Sequence, residues 1–326
     1  MVANKMMART MTSSTKAKSP TAHSSRRKIT APQPHTHTGV AAREAPRVVA
    51  LVPAWNAAGF IQGTLEALRA QSYRNLHVLV SVDLSSDATA DLCYEFCRGE
   101  PRFRVIRQLE RLGFVGNTRS LLTAAEGEYF FWAWHDDIVL PDYVSRLVAE
   151  LEGNRRAVCA YTDLEFHRFD GSVETATYTR LEGITDPVER AKRVLWRPRH
   201  WWLPHRGLFR SAAGSRIGGF RRHLAGVYCS DWPWAVHMAI LGEHVRVPEV
   251  LCRKFIKPGS LSRQSRSTPW NDIAAMLSCA TEVRRSDLSV RQKARLYVTV
   301  AGVIEQVVRR AGTQFNVSRL WGRRSR

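Results

Sequence analysis

No stretch of the chain approaches the roughly 18 consecutive apolar residues that a helix needs to cross a bilayer, so a helical integral membrane protein is not expected. The six cysteines, at 93, 97, 159, 229, 252 and 279, never form a Cys-x-x-Cys pair. That absence excludes the common zinc and redox frameworks and leaves reduced thiols as the expected state. Cys93 and Cys97 lie one helical turn apart and read as small buried side chains. Acidic residues are missing before Glu44, and the same leader lacks the apolar core of a signal peptide. A glycine-rich phosphate loop is missing too, since "PAWNAAGF" after the first apolar run does not supply one.

What is present starts with charge. Lys and Arg number 49 against 29 Asp and Glu, a formal net charge of +20, which attracts anionic partners over long range. Much of it sits at the two ends, in Lys16, Lys18, Arg26, Arg27 and Lys28 and in Arg319, Arg323, Arg324 and Arg326. Residues 1–46 are rich in Ser, Thr, Pro, Lys and Arg and show neither helical nor strand periodicity, so they read as a disordered basic tail. With 44% hydrophobic residues over 326 positions, the remainder can bury a substantial core.

From Arg47 the pattern changes. "RVVALVPAWN" is short, apolar and β-branched, as suits a strand buried on both faces. "GFIQGTLEALRAQSY" follows, with Ile61, Leu65 and Leu68 at amphipathic-helix spacing. "NLHVLVSVDLSSDATADLCYEFC" reads as strand, Ser/Asp turn and helix, with Ser85, Ser86 or Asp87 placed to cap the helix. "FRVIRQ" reads as a third strand, "NTRSLLTAAEG" as a helix closed by Gly127, and "EYFFWAW" as a fourth strand. Such alternation predicts an α/β fold with a mainly parallel sheet, helices on both faces, and a ligand crevice at the carboxyl ends of the strands.

Asp83 would end the second strand, and Asp136 with Asp137 the fourth, so three carboxylates would meet at one sheet edge. Unpaired they would repel one another, and Mg²⁺ or Mn²⁺ carrying a diphosphate would offset that repulsion. Asp136 or Asp137 capping a helix that starts near Pro141 is the competing structural explanation.

The order of these motifs resembles the inverting family 2 glycosyltransferases, over about residues 47–262. "VPAWNAAGFIQGTLEALRAQSY" resembles the opening of that family, with Pro53, Trp55 and Asn56 in its Pro-x-Tyr-Asn segment. "SVDLSSDAT" resembles its Asp-Asp-Gly-Ser segment, with Val82 and Leu84 as departures and Asp83 kept. "GEYFFWAWHDD" resembles the strand that runs into its metal motif, with His135 in the place of an aspartate. "PHRGLFRSAAGSRIGGF" and "YCSDWPWAVHMAILG" resemble the later segments, and "FIKPGSLSR" the late loop, with Lys257 where a histidine is frequent.

The resemblance implies a GT-A type fold with a C-terminal helical segment. It divides the chain into a tail over 1–46, a transferase domain over 47–262 and a C-terminal helical region with a basic tail over 263–326. Within the transferase domain, 47–150 would bind the nucleotide-sugar and 151–262 the acceptor. It implies a nucleotide diphosphate-sugar donor, a glycan or lipid-linked acceptor, and Mn²⁺ or Mg²⁺ as cofactor. Asp137 would hold the metal, Asp83 the nucleoside, Asp136 the sugar or ribose, and Asp231 would be the general base. Pro53, Trp55, Asn56 and Lys257 would complete the donor site, Lys257 also reading as a solvated loop lysine; the residues themselves add Arg119, near the diphosphate or a surface side chain, and His205, lining the acceptor or sugar pocket or meeting a structural hydrogen bond. Asp231 also has a structural reading, as a helix N-cap before Pro233. The expected place is the cytoplasm, with peripheral contact at an anionic membrane face and no nucleic-acid partner. A basic nucleic-acid-binding protein and a nucleotidyltransferase on a related sheet are the competing functional classes.

Overall fold

The structure is a computed structural model that describes residues 44–168, 170–255 and 267–321, with side chains described as far as Gly312. Its first half repeats strand and helix: β1 (Val48–Ala54), α1 (Ile61–Arg69), β2 (Leu76–Val82), α2 (Thr89–Cys97), β3 (Phe103–Arg107), α3 (Gly113–Ala124) and β4 (Tyr129–Trp132). These four strands pair in parallel in the order β3-β2-β1-β4. Every residue of β1 is buried, as its apolar Val, Ala and Leu residues with Pro53 suit a strand covered on both faces. Ile61, Leu65 and Leu68 are fully buried on α1, the face that their spacing marked. The N-cap of α2 is Ala88 and not Ser85, Ser86 or Asp87, and it makes no side-chain capping bond, although Asp87 just before it accepts from the Thr89 amide at 3.1 Å.

Two departures from the sequence reading bear on the site. The third helix begins at Gly113, four residues before the expected Asn117, because the Asp83 carboxylate accepts from the Leu112 amide at 2.8 Å and the Gly113 amide at 2.9 Å. Two otherwise orphaned amides are thereby satisfied, and the chain can turn into helix early. The fourth strand stops at Trp132, and Asp137 instead opens a separate three-residue strand, β5 (Asp137–Val139). Neither Asp136 nor Asp137 is the N-cap of the next helix, α4 (Tyr143–Gly153), because Asp142 holds that position.

The second half runs β6 (Ala157–His167), β7 (Val173–Ala176), α5 (Pro187–Leu195), a 3₁₀ turn (Leu203–Arg206), β8 (Leu208–Arg210), α6 (Ser211–Ile217), α7 (Asp231–Leu241) and β9 (Glu243–Phe255). It extends the sheet as β4-β8-β6-β9-β5, with β7 on β6. Here β8 is antiparallel to β4 and β6, β9 is parallel to β6, and β5 is antiparallel to β9. Helices α8 (Pro269–Arg285) and α9 (Val290–Trp321) close the chain. Helix α8 packs on α7, burying Met276, Cys279 and Val283, and its Glu282 Oε2 meets His237 Nδ1 at 2.7 Å inside that contact. Both partners of this pair are 3% exposed, so neither has water as an alternative partner. Among the described residues no helix is long and apolar enough to cross a membrane.

Candidate active site

The carboxyl ends of β1 and β2 form one wall of the crevice. Asp83, directly after β2, is 1% exposed and is held by the Leu112 and Gly113 amides and by an ion pair with Arg111 Nη1. The same guanidinium lies 3.9 Å over the ring of Trp55, which is 36% exposed. A half-exposed indole with a cation on one face is a surface on which a flat base can lie. Asn56 adopts a left-handed φ of 45°. Its Oδ1 accepts from the Ser86 amide at 2.9 Å, so its side chain organises the Ser/Asp turn and does not point to the crevice. Pro53 is buried and offers its carbonyl to His135 Nδ1 at 3.2 Å, which ties the end of β1 to the segment after β4.

The paired aspartates occupy the centre. Asp137 is 5% exposed and both of its oxygens are engaged: Arg206 Nε donates to Oδ2 at 2.6 Å and Lys254 Nζ to Oδ1 at 3.3 Å. Lys254 is the residue directly opposite Asp137 in the β5–β9 pairing, so the strand register brings these charges together. The same ammonium lies 3.8 Å from Asp136 Oδ2. Burial works against the Arg206 charge, but the Asp137 carboxylate outweighs it and its pKa is raised. The residue foreseen as a metal ligand thus stands in a buried ion pair. Among the described residues no group of three or more His, Cys, Asp or Glu side chains is placed to hold a metal ion.

The remaining foreseen residues lie on the 3₁₀ turn and at the start of α7. His205 is 5% exposed and boxed by Trp134, Phe220 and Trp234, with ring centroids at 5.2, 5.3 and 5.6 Å. Burial, helped by the adjacent Arg206, drops its pKa to about 3, so the ring is neutral at ordinary pH. Its Nδ1 lies 3.8 Å from Asp231 Oδ2. Asp231 opens α7, keeps 27% of its side chain exposed, and has its pKa raised by burial against the pull of nearby amides and of Arg206 and Arg197. Ser230, at the N-cap, makes no side-chain capping bond.

The loop before Asp231 is held from outside. Arg197 donates to Asp272 Oδ1 on α8 at 2.7 Å and reaches Cys229 Sγ at 3.0 Å. Arg197 and Cys229 both sit at positive φ, 48° and 45°. Strain of this kind persists only where surrounding contacts enforce it.

The foreseen residues therefore divide. Trp55 joins Asp83 through Arg111, His205 joins Asp231, Asp136 lies by Lys254, and the Trp134 ring packs on His205 and stacks on Phe114 at 5.7 Å beside the start of α3. Arg119 does not join them, since its stem lies over Gly219 and its charge is felt by Arg221. Lys257 lies outside the described residues. Trp201, Trp232 and Trp234 are core residues, while the half-buried Trp202 lies 4.8 Å beneath the Arg206 guanidinium. Arg206 and Lys254 escaped the sequence reading. The only signal for Arg206 is its place beside His205 in "PHRG", and nothing local marks Lys254 as the partner of a residue 117 positions away.

Comparison with known proteins now bears on this arrangement. Residues 49–208 match the model of glycosyl transferase family 2. The chain carries a family 2 glycosyltransferase domain. EpsH of Bacillus subtilis (strain 168), which bears a glycosyltransferase name, is 35% identical over 106 residues, covering 32% of this chain and 30% of EpsH. The match thus spans about a third of that relative. Among solved structures, S. aureus TarS 1-349 in complex with UDP-GlcNAc superposes with a TM-score of 0.60 at 17% identity, over 80% of this chain and 71% of TarS 1-349. The mannosyltransferase PcManGT from Pyrobaculum calidifontis, solved with GDP-Man and Mn²⁺, gives 0.52 at 16% identity, over 86% and 81%. At these identities the likeness is one of fold: the curled α/β sheet is that of the GT-A glycosyltransferases.

Proposed function

We propose that the protein transfers a sugar from a nucleotide diphosphate-sugar to a glycan or lipid-linked acceptor, with inversion at the anomeric carbon. The observation that carries this reading is the half-exposed Trp55 ring with Arg111 and Asp83 after β1 and β2, together with a partly exposed, pKa-raised carboxylate, Asp231, at the start of α7. The structural neighbours solved with UDP-GlcNAc, UDP and GDP-Man favour a sugar nucleotide as donor.

In this reading the base lies on Trp55 and the diphosphate crosses the edge at Asp136. Asp231 accepts the proton of the acceptor hydroxyl as its oxygen bonds to the anomeric carbon. The bond from that carbon to the diphosphate oxygen breaks on the opposite face, and its electron pair leaves with the nucleoside diphosphate. A carboxylate with a raised pKa is a better proton acceptor than an ordinary one, and 27% exposure leaves it reachable. His205 stays neutral beside it, so its ring does not neutralise the base. His205 Nε2 and Trp134 Nε1 are buried and have no hydrogen-bond partner among the described residues, which suits atoms that meet sugar hydroxyls or water.

The resemblance also implies Mn²⁺ or Mg²⁺. Such an ion takes one or two carboxylates together with phosphate oxygens. Here Asp137 has both oxygens on cations and Asp136 shares the ammonium of Lys254, a donor set that does not suit a divalent ion, and no step above runs through one. The +20 charge supports a peripheral contact with anionic lipid that would present a lipid-linked acceptor. The deciding experiment is a panel of UDP-, GDP- and dTDP-sugars, read by thermal shift and by release of nucleoside diphosphate. No response to any donor would overturn the reading.

A further inference from the structure

The electrostatic case for a metal at this edge is that converging carboxylates need a cation. In the folded chain each already has one. Asp83 has Arg111 and two amides, Asp137 has Arg206 and Lys254, and Asp136 lies 3.8 Å from the same lysine. Asp136 and Asp137 carry two negative charges, and Arg206 and Lys254 carry two positive ones. A divalent ion drawing on both aspartates would have to displace an ammonium and settle beside a buried guanidinium that cannot shed its proton. Two like charges would then share a site poorly screened by water.

We infer that Lys254 is itself the cation that stabilises the departing diphosphate, so that transfer proceeds without a divalent metal. The inference rests on the transferase reading above. Lys254 is fixed by its strand register opposite Asp137 and stands at the rim, 19% exposed, one residue before the end of β9. Arg206 stays on Asp137, and the ammonium, a point charge with three donors on a flexible stem, adds phosphate oxygens to its carboxylate contacts as donor binds. As the bond from the anomeric carbon to the diphosphate breaks, negative charge grows on the leaving oxygens, and the lysine holds that charge more tightly than it held the ground state. The acceptor proton goes to Asp231.

The test uses the full chain with the donor found in the panel, stripped with EDTA and assayed with and without added Mn²⁺. Wild type is expected to keep its transfer rate within about twofold after chelation, and its affinity for the nucleoside diphosphate alone. Lys254→Met, which keeps the stem and removes the charge, should lower metal-free transfer by about 10²- to 10³-fold. Lys254→Arg should restore a substantial part, and Mn²⁺ should partly rescue Lys254→Met, because that variant uncovers the two aspartates. Loss of wild-type transfer on chelation with recovery on Mn²⁺ would overturn the inference while leaving the transferase reading intact. Metal-free turnover of Lys254→Met at the wild-type rate would also overturn it. The chelation arm uses only wild-type protein, so it decides even if the variant fails to fold. Absence of turnover with every donor in both conditions would bring down the transferase reading and this inference together.

Discussion

Asp231 and Asp137 are both aspartates at the ends of short segments, yet their surroundings give them opposite work. Asp231 is partly exposed and has a neutral imidazole at 3.8 Å, with no ion pair to a lysine or arginine among the described residues. Asp231→Asn should therefore lower transfer by about 10²- to 10⁴-fold while donor affinity stays near wild type, measured as kcat alongside a nucleotide titration. A base must be deprotonated to act, and burial raises the Asp231 pKa. The acidic limb of kcat/KM should thus fall above the usual carboxylate value of about 3.9, with activity lost as pH drops through it. His205, with a pKa of about 3, cannot supply that limb. Asp137 is closed between Arg206 and Lys254, so Asp137→Asn leaves a buried guanidinium with a neutral partner. The expected cost is about 3 kcal/mol of stability, read by denaturant unfolding. Unchanged stability with lost metal-dependent donor binding would instead restore Asp137 as a metal ligand.

Among the elements, the 3₁₀ turn Leu203–Arg206 is the one on which both halves of the site depend, because it carries His205 toward Asp231 and Arg206 toward Asp137. Gly207 lets that turn enter β8. A Cβ there would sit 2.4 Å from the Ala160 carbonyl oxygen and 2.9 Å from Cys159 Sγ. The backbone of β6 cannot yield, since it is paired on its other edge with β9. Gly207→Ala is expected to cost at least 2 kcal/mol, on the order of other overpacked cores, and to depress transfer in the fraction that folds. A thermal midpoint near wild type would show that the turn can shift. The parallel first half was legible in the sequence because each strand and helix carries its own period. The β5–β9 pairing was not, since three residues give no period and their partner lies more than a hundred positions away.

On the scale of the whole molecule, the C-terminal helices belong to the structure that holds the segment leading into Asp231. Glu282 on α8 pairs with the buried His237 on α7, and Asp272 holds Arg197 against the loop that leads into Asp231. A chain ending at residue 266 would leave His237 without its carboxylate and expose the α7 face that Met276, Cys279 and Val283 cover. It is expected to lose cooperative thermal unfolding by circular dichroism along with transfer. Retained cooperative melting would mean that 45–266 folds alone and that the helices serve only as an appendage.

The sequence by itself determined the class of the fold. Buried parallel strands are written as unbroken apolar runs, and the polar residues that end them must lie at one edge of the sheet. It also placed Asp83 at the end of the second strand, while Asp231 and His205 were singled out within segments that carry the family resemblance and not by local pattern. Only the tertiary structure decided what compensates the carboxylates. Charge compensation depends on distance in space, and Arg206 and Lys254 reach Asp137 from 69 and 117 positions along the chain. From sequence, converging aspartates call for a cation, and folding determines whether that cation comes from solution or from the chain.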